Sequence, residues 1–119
     1  MAQIFRKVIV VTTGSGIGPC LGTMMNVPAT KFRVLWSAPS PRHTFGAEIY
    51  EKVLDIEPNA VIIDTAVVGR KDIVSLAHKM YMEEKAEAIF CVSNKQLTKK
   101  LVYEMESRGV PAFGPIWDS

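Results

Sequence analysis

The β-branched run Val8-Ile9-Val10-Val11 passes through Thr12 and Thr13 straight into Gly14-Ser15-Gly16-Ile17-Gly18-Pro19. A continuous apolar run of this kind reads as a strand buried on both faces, as strands are in a parallel sheet. It empties into a glycine turn that opens a helix. That geometry lets backbone N–H groups approach a phosphate, with the positive end of the helix dipole aimed at it. The turn departs from the dinucleotide fingerprint at one place, because Pro19 stands where the third glycine or an alanine is expected.

The rest of the chain alternates in the same way. Lys7 to Thr12 is the first strand, and Pro19 to Asn26 a short helix. In a first turn the N–H that proline lacks has no intrahelical partner. Phe32 to Ser37 is a second strand, ended by Pro39 and Pro41. Phe45 to Leu54 follows as a helix, with Phe45, Ile49, Val53 and Leu54 on one face. Ala60 to Thr65 is a third strand, and Asp72 to Glu84 a helix carrying Ile73, Leu76, Ala77 and Met80 at helical spacing. Ala88 to Val92 is a fourth strand, and the next helix starts near Ser93-Asn94, both good N-cap types, and stops at Gly109. Val110 to Ile116 is a short extended segment. Strands alternating with helices imply right-handed βαβ units, hence a three-layer αβα, Rossmann-like α/β fold. The expected sheet is five-stranded and parallel, in the order 3-2-1-4-5, with the ligand at the carboxyl ends of strands one and four.

The 119 residues suffice for one domain with one core. With 48% hydrophobic and 22% charged residues the chain reads as an ordinary globular protein. A net charge of +2 gives no reason to expect nucleic acid, and Lys99-Lys100 reads as a solvated helix face. Cys20 and Cys91 make no disulfide framework, and neither they nor His43 and His78 have metal-ligand spacing. No apolar stretch approaches the ~18 residues of a membrane span. The glycine turn interrupts the one early apolar run, so no signal peptide is read. The expected setting is reducing and cytoplasmic, without direct membrane insertion; any membrane tether would lie outside these residues.

Candidate site residues fall just past the strand ends, at Thr13 to Pro19, Ser37 to Gly46, Thr65 to Asp72 and Cys91 to Asn94. The loop Ser37-Ala38-Pro39-Ser40-Pro41-Arg42-His43-Thr44 holds no carboxylate of the kind that selects NAD by its ribose hydroxyl. Arg42 and the hydroxyls suit an anion; the stretch also reads as a proline-stiffened surface loop. Arg70 offers a planar fork for phosphate and Lys71 an adjacent charge, while Asp72 reads as a helix cap. The two basic loops together favour a 2′-phosphate, NADP over NAD. Cys91 ends the fourth strand opposite the glycine turn, where it either packs as a small hydrophobe or contacts a nicotinamide, with Ser93 and Asn94 beside it. Cys20 and Met24, Met25, Met80, Met82 and Met105 read as core or helix-face residues.

Thr13-Gly14-Ser15-Gly16-Ile17-Gly18-Pro19 resembles the G-[TS]-G-I-[AG]-P turn of the ferredoxin–NADP reductase-like family, in which proline takes the third glycine's place. Gly69-Arg70 is placed like that family's [S/G]-R, and Cys91 like the Cys of its C-G-P motif. More narrowly, Trp36 to Gly46 and Ala112 to Ser119 are similar to the reductase-type C-terminal domain of large eukaryotic proteins, membrane-anchored and adenylate-forming-reductase-like chains among them. The family joins a flavin-binding β-barrel to an αβ half that binds NAD(P)H, and the resemblance covers the second half. It implies that Gly14, Ser15, Gly16 and Pro19, within a turn completed by Thr13, Ile17 and Gly18, cradle the pyrophosphate. It also implies that Arg70 pairs with the 2′-phosphate and that Cys91 lies near the hydride-donating carbon. FAD would come from a partner domain in cis or in trans. Val92-Ser93 stand where the family has Gly-Pro, and Trp117 reads either as a hydrophobic plug or as the aromatic residue that covers the flavin.

Two functions follow. One is an NAD(P)H-binding module that presents hydride to a flavin outside the chain and does not turn over alone. The other is a nucleotide-sensing or interaction domain that kept the fold without hydride transfer. A purely structural domain would leave Gly14, Arg42, Arg70 and Cys91 clustered at strand ends by chance.

Overall fold

The computed structural model describes residues 6–26, 30–69 and 71–114, with the side chains of Ser15 and Thr23 outside that description. The β-branched run is a strand, β1 (Lys7–Thr13), and a single 3₁₀ turn, Gly14–Gly16, joins it to α1 (Ile17–Met25). The chain continues as β2 (Lys31–Ala38), α2 (Pro41–Phe45), α3 (Ala47–Ile56), β3 (Val61–Asp64) and α4 (Thr65–Val68). It ends with α5 (Ile73–Glu84), β4 (Ala88–Val92), α6 (Lys95–Ser107) and β5 (Ala112–Phe113). The strands form one five-stranded sheet in the order β3-β2-β1-β4-β5, parallel at every pairing. Both the architecture and the strand order agree with the sequence reading.

β1 is central and its side chains alternate between two cores, as the two-residue period of a strand requires. Val8 and Val10 pack with Leu21, Val34, Trp36 and Val53 on the side of α1 and α3. Ile9 and Val11 pack with Ala77, Ile89, Cys91 and Leu101 on the side of α5 and α6. Register places Val10 beside Val34 on one flank and beside Phe90 on the other. Burial on both faces is why the run carries no polar alternation. At the amino ends of the strands, Arg33 pairs with Glu57 at 2.8 Å and with Glu84 at 3.5 Å, and Lys7 pairs with Glu84 at 3.0 Å. These ion pairs tie β1 and β2 to the ends of α3 and α5, at the edge away from the glycine turn.

Local structure differs from the sequence reading at four places. Helix α1 starts at Ile17, so Pro19 is its third residue, still within the turn whose N–H groups have no acceptor in the helix. The expected helix from Phe45 to Leu54 is two helices, α2 and α3, divided at Gly46 with φ 90 and ψ 150, and Pro41 opens α2 instead of prolonging a loop. The third strand stops at Asp64, whose side chain accepts the Ala66 N–H at 3.0 Å and turns the chain into α4. The last extended segment pairs with β4 over Ala112–Phe113 only, Gly114 being outside the strand, and the remaining expected residues, 115 and 116, lie outside the described residues.

Candidate functional site

The sheet reverses its winding at β1, since the chain moves from β1 outward to β3 on one flank and returns to β4 on the other. Ligands of open α/β sheets bind beyond the carboxyl ends of the strands at such a switch point. A crevice of ≈ 860 Å³ lies at this edge, within the size range of small-molecule sites. Its walls are the end of β1 and the turn after it at Thr13-Gly14, the end of β2 at Ser37 to Pro39 and the start of α4 at Thr65, facing the first turns of α5 and α6. Helix N-termini with unpaired first-turn N–H groups favour anions.

Each element of the crevice has a local cause. Gly14 has φ 56, the left-handed region, which lets the chain turn sharply out of β1. Gly16 is glycine for a different reason. A Cβ there would stand 2.6 Å from Thr12 Oγ1 and 2.7 Å from the Val92 carbonyl oxygen. The turn therefore presses directly on the end of β4. Asp72 caps α5 by accepting the Ser75 N–H at 3.1 Å and the Ser75 hydroxyl at 2.8 Å. Asn94 caps α6 by accepting the Leu97 N–H at 2.8 Å. The Asp72 carboxyl is held below the usual carboxylate range by the Ser75 N–H and hydroxyl, with the Lys100 charge adding to them. Among the described residues, Lys71 and Lys100 bring cationic side chains to the crevice.

Of the residues singled out in the sequence, Thr13, Gly14, Ser37, Lys71 and Asn94 line the crevice. Ser93 is buried, and its hydroxyl hydrogen-bonds to that of Thr13, joining β1 to β4 across the switch point. Gly16, Ile17, Gly18 and Pro19 build the turn and the start of α1 behind it. Arg42 does not line the crevice: α2 carries it over the Tyr50 ring, with its guanidinium carbon 5.9 Å from the centroid. Cys91 is fully buried and its thiol donates to Thr98 Oγ1 at 3.9 Å. By the alternation of β4 that thiol belongs to the core under α5 and α6, and burial pushes its pKa up to about 11. Cys20 is buried in the opposite core, as its packing role required, with its pKa likewise pushed up to about 11 by burial. Arg70 and Trp117 lie outside the described residues.

Sequence reasoning missed several contributors. Lys100, read as part of a solvated helix face, is exposed but borders the crevice together with Gln96 and Leu97. The signal was its spacing, one turn beyond Gln96 at the start of a helix that follows the central strand pair. Asp64 does more than cap α4, because its Oδ1 also accepts the Ser40 N–H at 2.8 Å and so anchors the loop after β2. Trp36 enters the sequence reading as a residue of the second strand and of the resemblance, without a site role, yet its indole N–H donates to the Gly14 carbonyl at 3.1 Å. Among the described residues, no helix is long and apolar enough to cross a membrane, and no group of three or more His, Cys, Asp or Glu could hold a metal.

Comparison with known proteins bears on the fold and the family. The C-terminal domain of a hydrogenase from Pyrococcus furiosus superposes with a TM-score of 0.63 at 12% identity, covering 92% of this chain and 91% of that one, a likeness of fold. Two proteins of Coprinopsis cinerea, adenylate-forming reductase 03009 and adenylate-forming reductase 06235, are each 46% identical across 100% of this chain. The chain spans 12% of the length of each. The family described as "Adenylate-forming reductase 03009, C-terminal domain" matches residues 1–119. The chain belongs to this family of C-terminal domains of adenylate-forming reductases.

Proposed function

We propose that the crevice binds a pyridine dinucleotide, NADPH in preference to NADH, and that the domain presents it to a flavin such as FAD, held by another domain in cis or in trans. One observation carries the reading: the Gly14–Gly16 turn, the first turns of α5 and α6, and Lys71 and Lys100 meet at one switch point. Backbone N–H groups of the turn suit a diphosphate. Lys71, with Arg70 beside it in sequence, suits a further phosphate on the adenosine ribose. Ser37 lines the same crevice. The residues present thus fit the nucleotide, which when bound supplies the hydride. The chain's part is to grip and orient it. In this reading Cys91 supports the end of β4 from below as a protonated, packed thiol.

A second reading, nucleotide binding without hydride transfer, is favoured by Ser93, which stands with Val92 where the ferredoxin–NADP reductase-like family has Gly-Pro and whose hydroxyl is paired with that of Thr13. Titration calorimetry separates the parts. NADPH is expected to bind more tightly than NADH, and Lys71→Ala to narrow that preference by roughly tenfold or less, the scale of one charge-assisted hydrogen bond at an exposed site. Equal affinity for the two nucleotides would remove the 2′-phosphate assignment. The chain alone is expected not to oxidise NADPH. Oxidation that appears when a flavin-binding domain is added supports the first reading, and binding with no oxidation under any such addition supports the second.

A further inference from the structure

We propose that Trp36 is the positioning residue of the glycine turn: its indole N–H draws the Gly14 carbonyl inward and thereby fixes which way the next amide of the turn faces. The inference takes its ligand from the nucleotide reading above and its mechanics from the hydrogen bond itself.

Trp36 lies on β2, beside Thr12 in register, and is fully buried. A buried indole N–H requires an acceptor, and its acceptor is the Gly14 carbonyl oxygen at 3.1 Å. Gly14 is also the residue of the turn with the left-handed φ of 56. The Gly14–Ser15 peptide is trans, so its C=O and N–H point to opposite sides of one plane. Drawing the carbonyl to the indole leaves the Ser15 N–H on the side away from the aromatic core. An anion site needs that orientation, because a carbonyl swung outward would repel a phosphate.

The lock is needed because the joint is loose. Glycine turns through φ and ψ with little steric penalty, and nothing lies within 4 Å of the place a Gly14 Cβ would occupy. The far end of the turn is held by the contact of Gly16 with Val92; the near end is held by Trp36. The indole is itself fixed by tilted contacts with Phe45 at 5.6 Å and Tyr50 at 6.4 Å between ring centroids. The donor therefore sits on a rigid strand and in a packed ring cluster, while the acceptor is the flexible partner. Positioning runs from Trp36 to the turn.

The test uses the full chain, labelled with nitrogen-15, as wild type, Trp36→Phe and Phe45→Leu, with Trp117→Phe to assign the two indole signals. Trp36→Phe keeps an aromatic ring and removes the donor; Phe45→Leu loosens the same ring cluster and keeps the donor. The Trp36 indole N–H is expected to exchange with solvent deuterium far more slowly than an exposed indole. Trp36→Phe is expected to shift the Ser15 and Gly16 amide signals and to weaken NADPH binding by about threefold to tenfold, the worth of one neutral hydrogen bond. Phe45→Leu is expected to lower the melting temperature while leaving affinity within about twofold of wild type. Free exchange of the wild-type indole would overturn the proposal even if Trp36→Phe does not fold. So would unchanged Ser15 and Gly16 signals, or an equal loss of affinity in Phe45→Leu, which would mark ring packing as the cause. If wild type binds no pyridine nucleotide, the nucleotide reading fails, and the exchange and amide measurements still decide whether Trp36 sets the turn.

Discussion

Replacing Gly16 by alanine tests whether the glycine turn is seated on β4. The added Cβ would meet the Val92 carbonyl oxygen at 2.7 Å, Thr12 Oγ1 at 2.6 Å and Val92 Cγ1 at 3.3 Å. Against an ordinary carbon–oxygen approach, the first contact is short by about 0.6–0.9 Å. The Thr12 hydroxyl can rotate away, but the Val92 carbonyl belongs to the backbone of a strand paired with β1 and moves only with the sheet. Overpacking of this kind costs about 1–3 kcal/mol. For a domain of this size that is a fall in Tm on the order of 4–12 °C. Two neighbouring glycines serve as controls. Gly18 has nothing within 4 Å of a built Cβ, so Gly18→Ala is expected to be neutral or to stabilise α1 by up to about 1 kcal/mol. Gly14 has equal space but φ 56, so Gly14→Ala costs about 1–2 kcal/mol through backbone conformation alone. Melting followed by far-ultraviolet circular dichroism gives the order. A Gly16→Ala variant that melts within about 1 °C of wild type, or a Gly18→Ala variant that melts below it, would refute the seating of the turn on Val92.

Burial of both cysteines, with thiol pKa values pushed up to about 11, predicts that neither reacts with a thiol reagent in the folded protein near about pH 8, and that both react after unfolding in guanidinium; rapid labelling of native protein would contradict the core placement. The Glu84 carboxyl is held below the usual carboxylate range, first by its hydrogen bond from Lys7 and then by the charges of Arg33 and Lys7. Its contribution is therefore present above the unfolded carboxyl pKa of about 4.3 and is lost as pH falls through the lower folded value. Glu84→Gln is expected to lower Tm at neutral pH and to flatten its decline in acid, and an unchanged acid profile would remove Glu84 from the ion-pair chain. Asn94→Ala deletes the α6 cap and is expected to cost about 1 kcal/mol, or on the order of 4 °C, by thermal melting; no change would show that the cap is idle.

The fold was legible because its main determinants are local and periodic. The β-branched run of β1, the apolar helical spacing of α5 and α6, and the caps Asp72 and Asn94 each act within a few residues of themselves. What was not legible depends on contacts distant in sequence. Gly46 divides α2 from α3 by adopting φ 90, a conformation that an apolar periodicity running through it does not reveal. α4 exists because Asp64 turns its side chain back on the Ala66 N–H, and aspartate at a strand end is equally compatible with a plain loop. At the site, the glycine turn could be read as a turn, yet the reason for Gly16 is a strand end some 76 residues away, at Val92. Arg42 shows the converse: its charge is visible in sequence, but α2 lifts it onto the Tyr50 ring instead of into the crevice. Cys91 falls near the end of β4, the strand beside β1, as the apolar run Ala88 to Val92 suggests, while the direction of its thiol follows from the register of β4 against β1. Lys100 lies within a helix whose polar face looks uniform until α5 is packed beside it.

The central claim is that the carboxyl edge of the sheet receives a pyridine dinucleotide. Titrating the nitrogen-15-labelled chain with oxidised NADP, and following amide signals, tests it most directly. Saturable shifts are expected to gather at Gly14, Ser15, Ser37, Lys71 and Asn94, with the amino edge around Arg33 and Glu57 unmoved. An absence of saturable shifts, or shifts gathered at that opposite edge, would contradict it.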